Sequence, residues 1–200
     1  MAALAGVLLA WPGTARTARS APAATRAPRT PETAEAPAKP DGSDAPDPAT
    51  LRADLVARRA RLMDRLPPGS IAVLWSAPTR TYSLDIDYEY RQDSNLYYLT
   101  GIAQDSTVLV LMPGNKTTRA LLFLKDNDPV LEQWSGHRLT AVEAADRSGI
   151  ARVRPLREFD TVIQSLLAGR PHEVVDADEG ASFFTAQAAG RALVYVPFDE

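Results

Sequence analysis

Tyr88-Glu-Tyr-Arg-Gln-Asp-Ser-Asn-Leu-Tyr-Tyr-Leu-Thr-Gly101 is the most specific stretch of this chain, with four tyrosines, an arginine, amides and two acids in one short run between apolar strands. Buried aromatic rings with polar tips need partners for their hydroxyls, and a guanidinium with five fixed donors can serve several at once. The run therefore reads as a structured polar-aromatic knot. Arg91 is expected in its interior, holding loop carbonyls with Asp93 or Glu89 beside it, because a buried charge needs partners.

Apolar segments surround this knot. Leu51, Leu55, Leu62 and Leu66 recur at helical spacing among Arg and Asp, so 49–66 is expected to be an amphipathic helix with a basic outer face, stopped by Pro67-Pro68-Gly69. Ile71–Trp75 is a continuous apolar run of strand length, as in a central strand covered on both faces. Thr107–Met112 and Arg119–Leu124 flank the turn residues Pro113-Gly114-Asn115-Lys116 and read as a hairpin. Pro129–Trp134 suits a short helix behind Asp128. Thr140 with Glu143 forms a capping-box pattern for a helix that Gly149 closes.

Arg152–Arg154 adds a strand candidate. Glu158–Leu167 sets Phe159, Val162, Ile163, Leu166 and Leu167 on one helical face before Gly169. Val174-Val175 and Leu193–Val196 are further strand candidates, separated by the small-residue stretch Ala181–Gly190. Strands and helices mixed in this way predict a three-layer α/β domain with a mixed β-sheet, and no internal repeat is visible.

The chain has 200 residues, a hydrophobic fraction of 45%, a formal net charge of −3 and no cysteine. These values fit one domain with an appendage and supply neither a basic footprint for nucleic acid nor a disulfide or zinc–cysteine site. Met1–Trp11 is too short to span a bilayer, which takes about 20 apolar residues. It has the apolar character of a secretory signal peptide, although no Lys or Arg precedes it. The expected organisation is a signal peptide over 1–20, a disordered Ala/Pro-rich linker over 21–48, which low hydrophobicity keeps from packing, and the folded domain over 49–200. Export to the periplasm or beyond follows from the signal reading; without it the chain would be cytoplasmic.

Two segments carry a family resemblance covering roughly 51–167. The first is Tyr90-Arg91-Gln92-Asp93-Ser94 followed by Tyr97-Tyr98-Leu99-Thr100-Gly101; the second is Glu132-Gln133-Trp134-Ser135-Gly136-His137-Arg138. Their order and separation across the hairpin resemble the N-terminal domain of aminopeptidase P, the Xaa-Pro aminopeptidase branch of the creatinase and prolidase relatives. Leu96, Lys125 and Thr140 depart from common family residues. Prolidase is the neighbouring branch, but the Tyr-Tyr-Leu-Thr-Gly spelling is more similar to aminopeptidase P.

The resemblance implies a following pita-bread domain, which the chain is expected to lack. That domain holds two divalent metals, commonly manganese, on two Asp, one His and two Glu. Its implied chemistry is hydrolysis of the bond before proline by a water between cations about 3.5–4 Å apart. The resemblance further implies a homo-oligomer, and it places Tyr97 near the active-site mouth of an adjacent subunit, with Arg91 as a second entrance candidate. Tyr90, Gln92, Asp93, Ser94, Tyr98, Gly101, Trp134 and Gly136 are then motif scaffold, with Trp134 a packing anchor and Arg138 a surface or interface cation. The alternative is a stand-alone interaction module without peptidase activity.

No catalytic or metal-ligating residue is expected in the chain itself. His137 and His172 lack ligand spacing. Asp85, Asp87, Asp126, Asp128, Asp176, Asp178 and Glu179 read as solvated loop acids, the commoner explanation of such spacings. There is no Gly-x-Ser-x-Gly elbow, and the Pro113–Lys116 turn is not a phosphate loop.

Overall fold

The computed structural model describes residues 46–84, 86–128, 130, 132, 133 and 136–197, with the backbone alone for Ile86. The expected signal segment, nearly all of the expected linker, and Asp85 and Trp134 lie outside the described residues. Helix α1 (Pro48–Met63) starts where Asp47 accepts hydrogen bonds from the amides of Ala49 and Thr50, with proline at the first turn. Strand β1 (Ser70–Trp75) follows, then a small ribbon of β2 (Thr81–Ser83) and β3 (Ile86–Asp87). Helix α2 (Ser94–Thr100), β4 (Thr107–Leu111), β5 (Ala120–Leu124) and α3 (Ala141–Ser148) come next. The chain continues through β6 (Arg152–Pro155), a 3-10 turn at Leu156–Glu158, α4 (Phe159–Leu167), α5 (Ala181–Ala188) and β7 (Leu193–Tyr195).

The main sheet has the order β6-β5-β4-β1-β7. β4 pairs antiparallel with both β5 and β1, whereas β6 and β7 run parallel to β5 and β1 respectively, so the sheet is mixed. Successive side chains of a strand point to opposite faces. Ala72, Leu74, Leu109, Leu111, Leu122 and Leu124 accordingly pack in one core with Met63, Leu96, Leu99, Ala144 and Ile150 from the α1, α2 and α3 side. Ile71, Val73, Val108, Val110, Leu121 and Phe123 pack in the other with Val162, Leu166 and Phe183 from α4 and α5. This is the expected three-layer α/β arrangement.

Locally, some expectations change, one agrees, and one segment takes a form the sequence left open. Ala181–Ala188 is a helix, because Phe183 and Phe184 give an Ala-rich stretch an apolar side to bury. Val174 and Val175 are buried, but Val175 forms only an isolated bridge with His172 and joins no sheet. Trp75 emerges half-exposed at the end of β1, its ring edge-on to Phe159 at 6.3 Å. Val130, Glu132 and Gln133 are helical within the expected 129–134 segment. The face of α1 is not uniformly basic outside: Arg59 points into the interior and is 3% exposed.

Candidate functional site: a polar network joining the two motifs

The knot forms around an amide rather than a guanidinium. Gln92 is buried, and its Oε1 lies within hydrogen-bond reach of three donors: the amides of Ala77 at 3.1 Å and Asp93 at 2.8 Å and the hydroxyl of Tyr90 at 2.9 Å. Its Nε2 donates to the carbonyl of Gln104 at 2.7 Å. A neutral amide that both donates and accepts suits a site where backbone N–H and C=O groups must be satisfied together; a guanidinium, which only donates, does not. Arg91 is exposed instead, with no hydrogen bond or ion pair to other described residues. Asp93 caps α2 by accepting from the amide of Leu96 at 2.8 Å. The phenol of Tyr90 also reaches the carbonyl of Ala77 at 3.2 Å, and burial, aided by the carboxylates of Asp105 and Asp93, pushes its pKa up.

The second motif closes on the same loop. Gln104 gives its carbonyl to Gln92, while its side-chain oxygen accepts from the amide of Leu139 at 2.9 Å. Arg138 pairs with the carboxylate of Asp105 at 2.6 Å and donates to that residue's carbonyl at 3.1 Å. It is a part-buried cation paired with Asp105, where the sequence suggests a surface or interface cation. Glu132 accepts from the amide of Arg138 at 2.9 Å, and Asn127 donates to the Arg138 carbonyl at 2.9 Å. The two motifs thus meet through Gln104-Asp105, a dipeptide without any sequence signal of its own.

Arg59 holds the helical side together. Its guanidinium donates to the carbonyls of Leu99 at 2.6 Å and Ser148 at 2.7 Å, at the C-termini of α2 and α3, where a cation meets the negative end of each helix dipole. Burial lowers its pKa to about 10, which leaves it charged at neutral pH. The sequence carried a signal for this, since Arg59 lies four residues after Leu55 on the apolar stripe of α1. Beside it, Arg58 lies 4.4 Å over the ring of Tyr98 and donates to the Tyr98 carbonyl at 3.1 Å.

Tyr88, Tyr97 and Tyr98 are half-exposed, so most of the motif's aromatic surface faces outward. A cavity of about 600 Å³ beside the knot is lined by Pro78, Arg80, Tyr88, Glu89, Arg91 and Ser94. Ser94 is exposed at the start of α2, Gly101 ends that helix with φ +67°, and Gly136 stands at φ +81° before His137.

Among the described residues, no group of three His, Asp or Glu side chains could hold a metal ion. His137 comes nearest, but Glu132 faces its Nδ1 at 3.6 Å and Glu143 its Nε2 at 3.2 Å, on opposite sides of the ring. Asp126 pairs with Arg157, Asp128 accepts from the amide of Val130, and Asp87 and Asp178 are exposed. Asp176 accepts from the amides of Asp178 and Glu179. His172 Nδ1 accepts from the amide of Val174 at 3.3 Å. Glu179 is no free loop acid: its carboxylate accepts from the amides of Thr117 and Thr118 and the hydroxyl of Thr117, which lowers its pKa. The described residues do not fit the dinuclear metal set that the resemblance implies.

Residues 55–175 match the family profile described as "Aminopeptidase P, N-terminal domain", more than half of the chain. The Xaa-Pro aminopeptidase of Escherichia coli is 34% identical over 119 residues, 59% of this chain and 27% of that protein. That of Haemophilus influenzae is 33% identical over 110 residues, 55% of this chain and 26% of that protein. Crystal structures of E. coli aminopeptidase P superpose with a TM-score of 0.54 at 34% identity over 58% of this chain and 27% of that one. A Pseudomonas aeruginosa aminopeptidase reaches a TM-score of 0.58 at 27% identity, over 74% of this chain and 36% of that one. The chain spans about a quarter of the length of the curated relatives it matches.

Proposed function

The chain belongs to the family of aminopeptidase P N-terminal domains, and from that membership we propose that it serves as the non-catalytic N-terminal domain of an Xaa-Pro metalloaminopeptidase. Removal of the residue before proline, and the two divalent metals, commonly manganese, that this hydrolysis uses, belong to a catalytic domain of the same assembly. The chain's own part is to support assembly and to shape the substrate entrance, with the exposed Tyr97 and Arg91 turned toward the peptide. The apolar run Met1–Trp11 supports export.

One observation carries the reading. The polar residues of both motifs spend their hydrogen-bonding capacity on one another and on backbone through Gln92, Gln104 and Arg138. What they build is a scaffold, and among the described residues no group of three His, Asp or Glu side chains could hold a metal ion. The test is an assay of the purified 200-residue chain with an Xaa-Pro peptide and Mn²⁺. No release of the N-terminal amino acid is expected; metal-dependent release would overturn the assignment.

A further inference from the structure

The helices on the α1 side of the sheet leave the edge strand β7 largely uncovered. The parallel register sets Leu193 beside Ser70 and Tyr195 beside Ala72, and Ala72 packs in the core on the α1 side. Side chains two apart on a strand share a face, and on this one Leu193 and Tyr195 are 46% and 40% exposed. On the opposite face of β1, Phe183 of α5 packs with Ile71 and Val73. Beside α1 the corresponding place is open, as a groove of about 510 Å³. Leu62, Leu66, Leu74 and Leu99 give it an apolar lining, and the half-exposed rings of Tyr98 and Tyr195 border it.

The charge of this groove has one sign. Arg58, Arg61 and Arg65 line it and no Asp or Glu does, although the chain as a whole carries a net charge of −3. Arg58 is engaged by Asp54 and by the ring and carbonyl of Tyr98. Arg61 and Arg65 are exposed and have no hydrogen-bond or ion-pair partner among the described residues. They stand four apart on α1, where like charges repel and weaken a helix. An apolar trough with uncompensated cations along one bank is complementary to an apolar face flanked by carboxylates.

The spacing of the cations selects the form of the partner. At 1.5 Å per residue the three arginines are spread along about 10.5 Å of α1, in steps of about 4.5 and 6 Å. A single anionic head group cannot meet that row. Carboxylates on successive turns of a second helix repeat every 5.4 Å or so and stay in step with it, whereas those on one face of a strand repeat at about 6.6 Å and fall out. A helix seated beside α1 also fills the trough as helix-in-groove contacts do. None of the helices α1 to α5 carries acids on three successive turns, so a second copy of this chain does not supply such a face.

We propose that the groove between α1 and β7 docks an acidic amphipathic helix of a separate polypeptide. Its apolar face lies on Leu62, Leu66 and Tyr195, and its carboxylates neutralise Arg61 and Arg65. Neither Tyr97 nor Arg91 lines the groove, so the inference goes beyond the substrate-entrance role.

The probe is a labelled peptide of about 18 residues, long enough to hold a helix in water, with leucine on one face and glutamate along its flanks. Its fluorescence anisotropy is followed as the full 200-residue chain is added at low salt. Saturable binding is expected, with a dissociation constant raised roughly tenfold when glutamine replaces the glutamates. Arg61→Glu with Arg65→Glu should abolish binding of the glutamate peptide and create binding of its lysine counterpart. Arg170→Gln, at an exposed arginine outside the groove, should change nothing. Arg61 and Arg65 are exposed, and a gain of binding to the lysine peptide reads the contact independently of any loss of fold. Absence of saturable binding, equal binding of the glutamate and glutamine peptides, or indifference to the charge reversal overturns the proposal. So does a groove that takes dodecanoate in place of the peptide, or a dimer of the chain alone that the charge reversal disperses.

Discussion

Arg59 shows how one side chain can join three helices. It leaves α1, crosses the helical layer and satisfies one terminal carbonyl each of α2 and α3. Those carbonyls lack intrahelical partners, and a cation there also meets the dipole end. The desolvation that lowers its pKa to about 10 opposes this role, and the two charge-assisted bonds offset it. Arg59→Met keeps the apolar stem but orphans both carbonyls. It should destabilise the domain by about 3 kcal/mol in urea denaturation. Arg61→Met on the exposed side of the same helix should stay within about 0.5 kcal/mol. Equal losses in the two variants would show that the carbonyls gain nothing specific from Arg59.

At the scale of elements, α2 and α3 end by the same device, which the sequence spells Thr100-Gly101-Ile102 and Ser148-Gly149-Ile150. In each, the hydroxyl donates back to the carbonyl four residues earlier and accepts from the isoleucine amide two residues on. The glycine turns left-handed, at φ +67° and +71°, and the isoleucine drops into the core. At the start of α3, Thr140 and Glu143 form the capping box, with Glu143 Oε2 accepting from the Thr140 amide at 2.8 Å. Thr140→Ala should cost about 1 kcal/mol. Gly149→Ala should cost more, about 1–2 kcal/mol from backbone strain alone, because its Cβ would also meet Val56 Cγ2 at 2.8 Å. Urea midpoints for the two variants check the order, and the reverse order would mean that the helix end relaxes freely.

Across the whole molecule, distant segments are tied by charge as well as by the two cores. The Glu179 carboxylate, just before α5, clasps the β4–β5 turn through Thr117 and Thr118. These bonds favour the carboxylate, so its pKa lies lower in the folded than in the unfolded state. Its contribution is therefore complete above the unfolded carboxylate range and is lost as pH falls through the lowered folded value. Between pH 7 and pH 3 the wild type should lose about 0.5–1 kcal/mol more than Glu179→Gln, a figure discounted for solvent screening. Parallel pH profiles of urea stability for the two proteins would refute this clasp.

The apolar runs Ile71–Trp75, Thr107–Met112 and Arg119–Leu124, the turn at Pro113–Lys116 and the Thr140–Glu143 box are local patterns, so the sequence by itself determined the central strands, the β4–β5 hairpin and α3. The order and spacing of the two motifs likewise determined the family. Which polar groups would sit inside was not local. Gln92 rather than Arg91 occupies the knot because the groups that converge there are both donors and acceptors, and those groups come from Ala77 and Gln104, far apart in the chain. Arg138 is a structural cation because the fold brings Asp105 to it, and Ala181–Ala188 is a helix because the sheet offers Phe183 a face to cover. Periodicity reports how a segment can bury its own apolar side; only tertiary structure brings together the partners that a polar side chain requires.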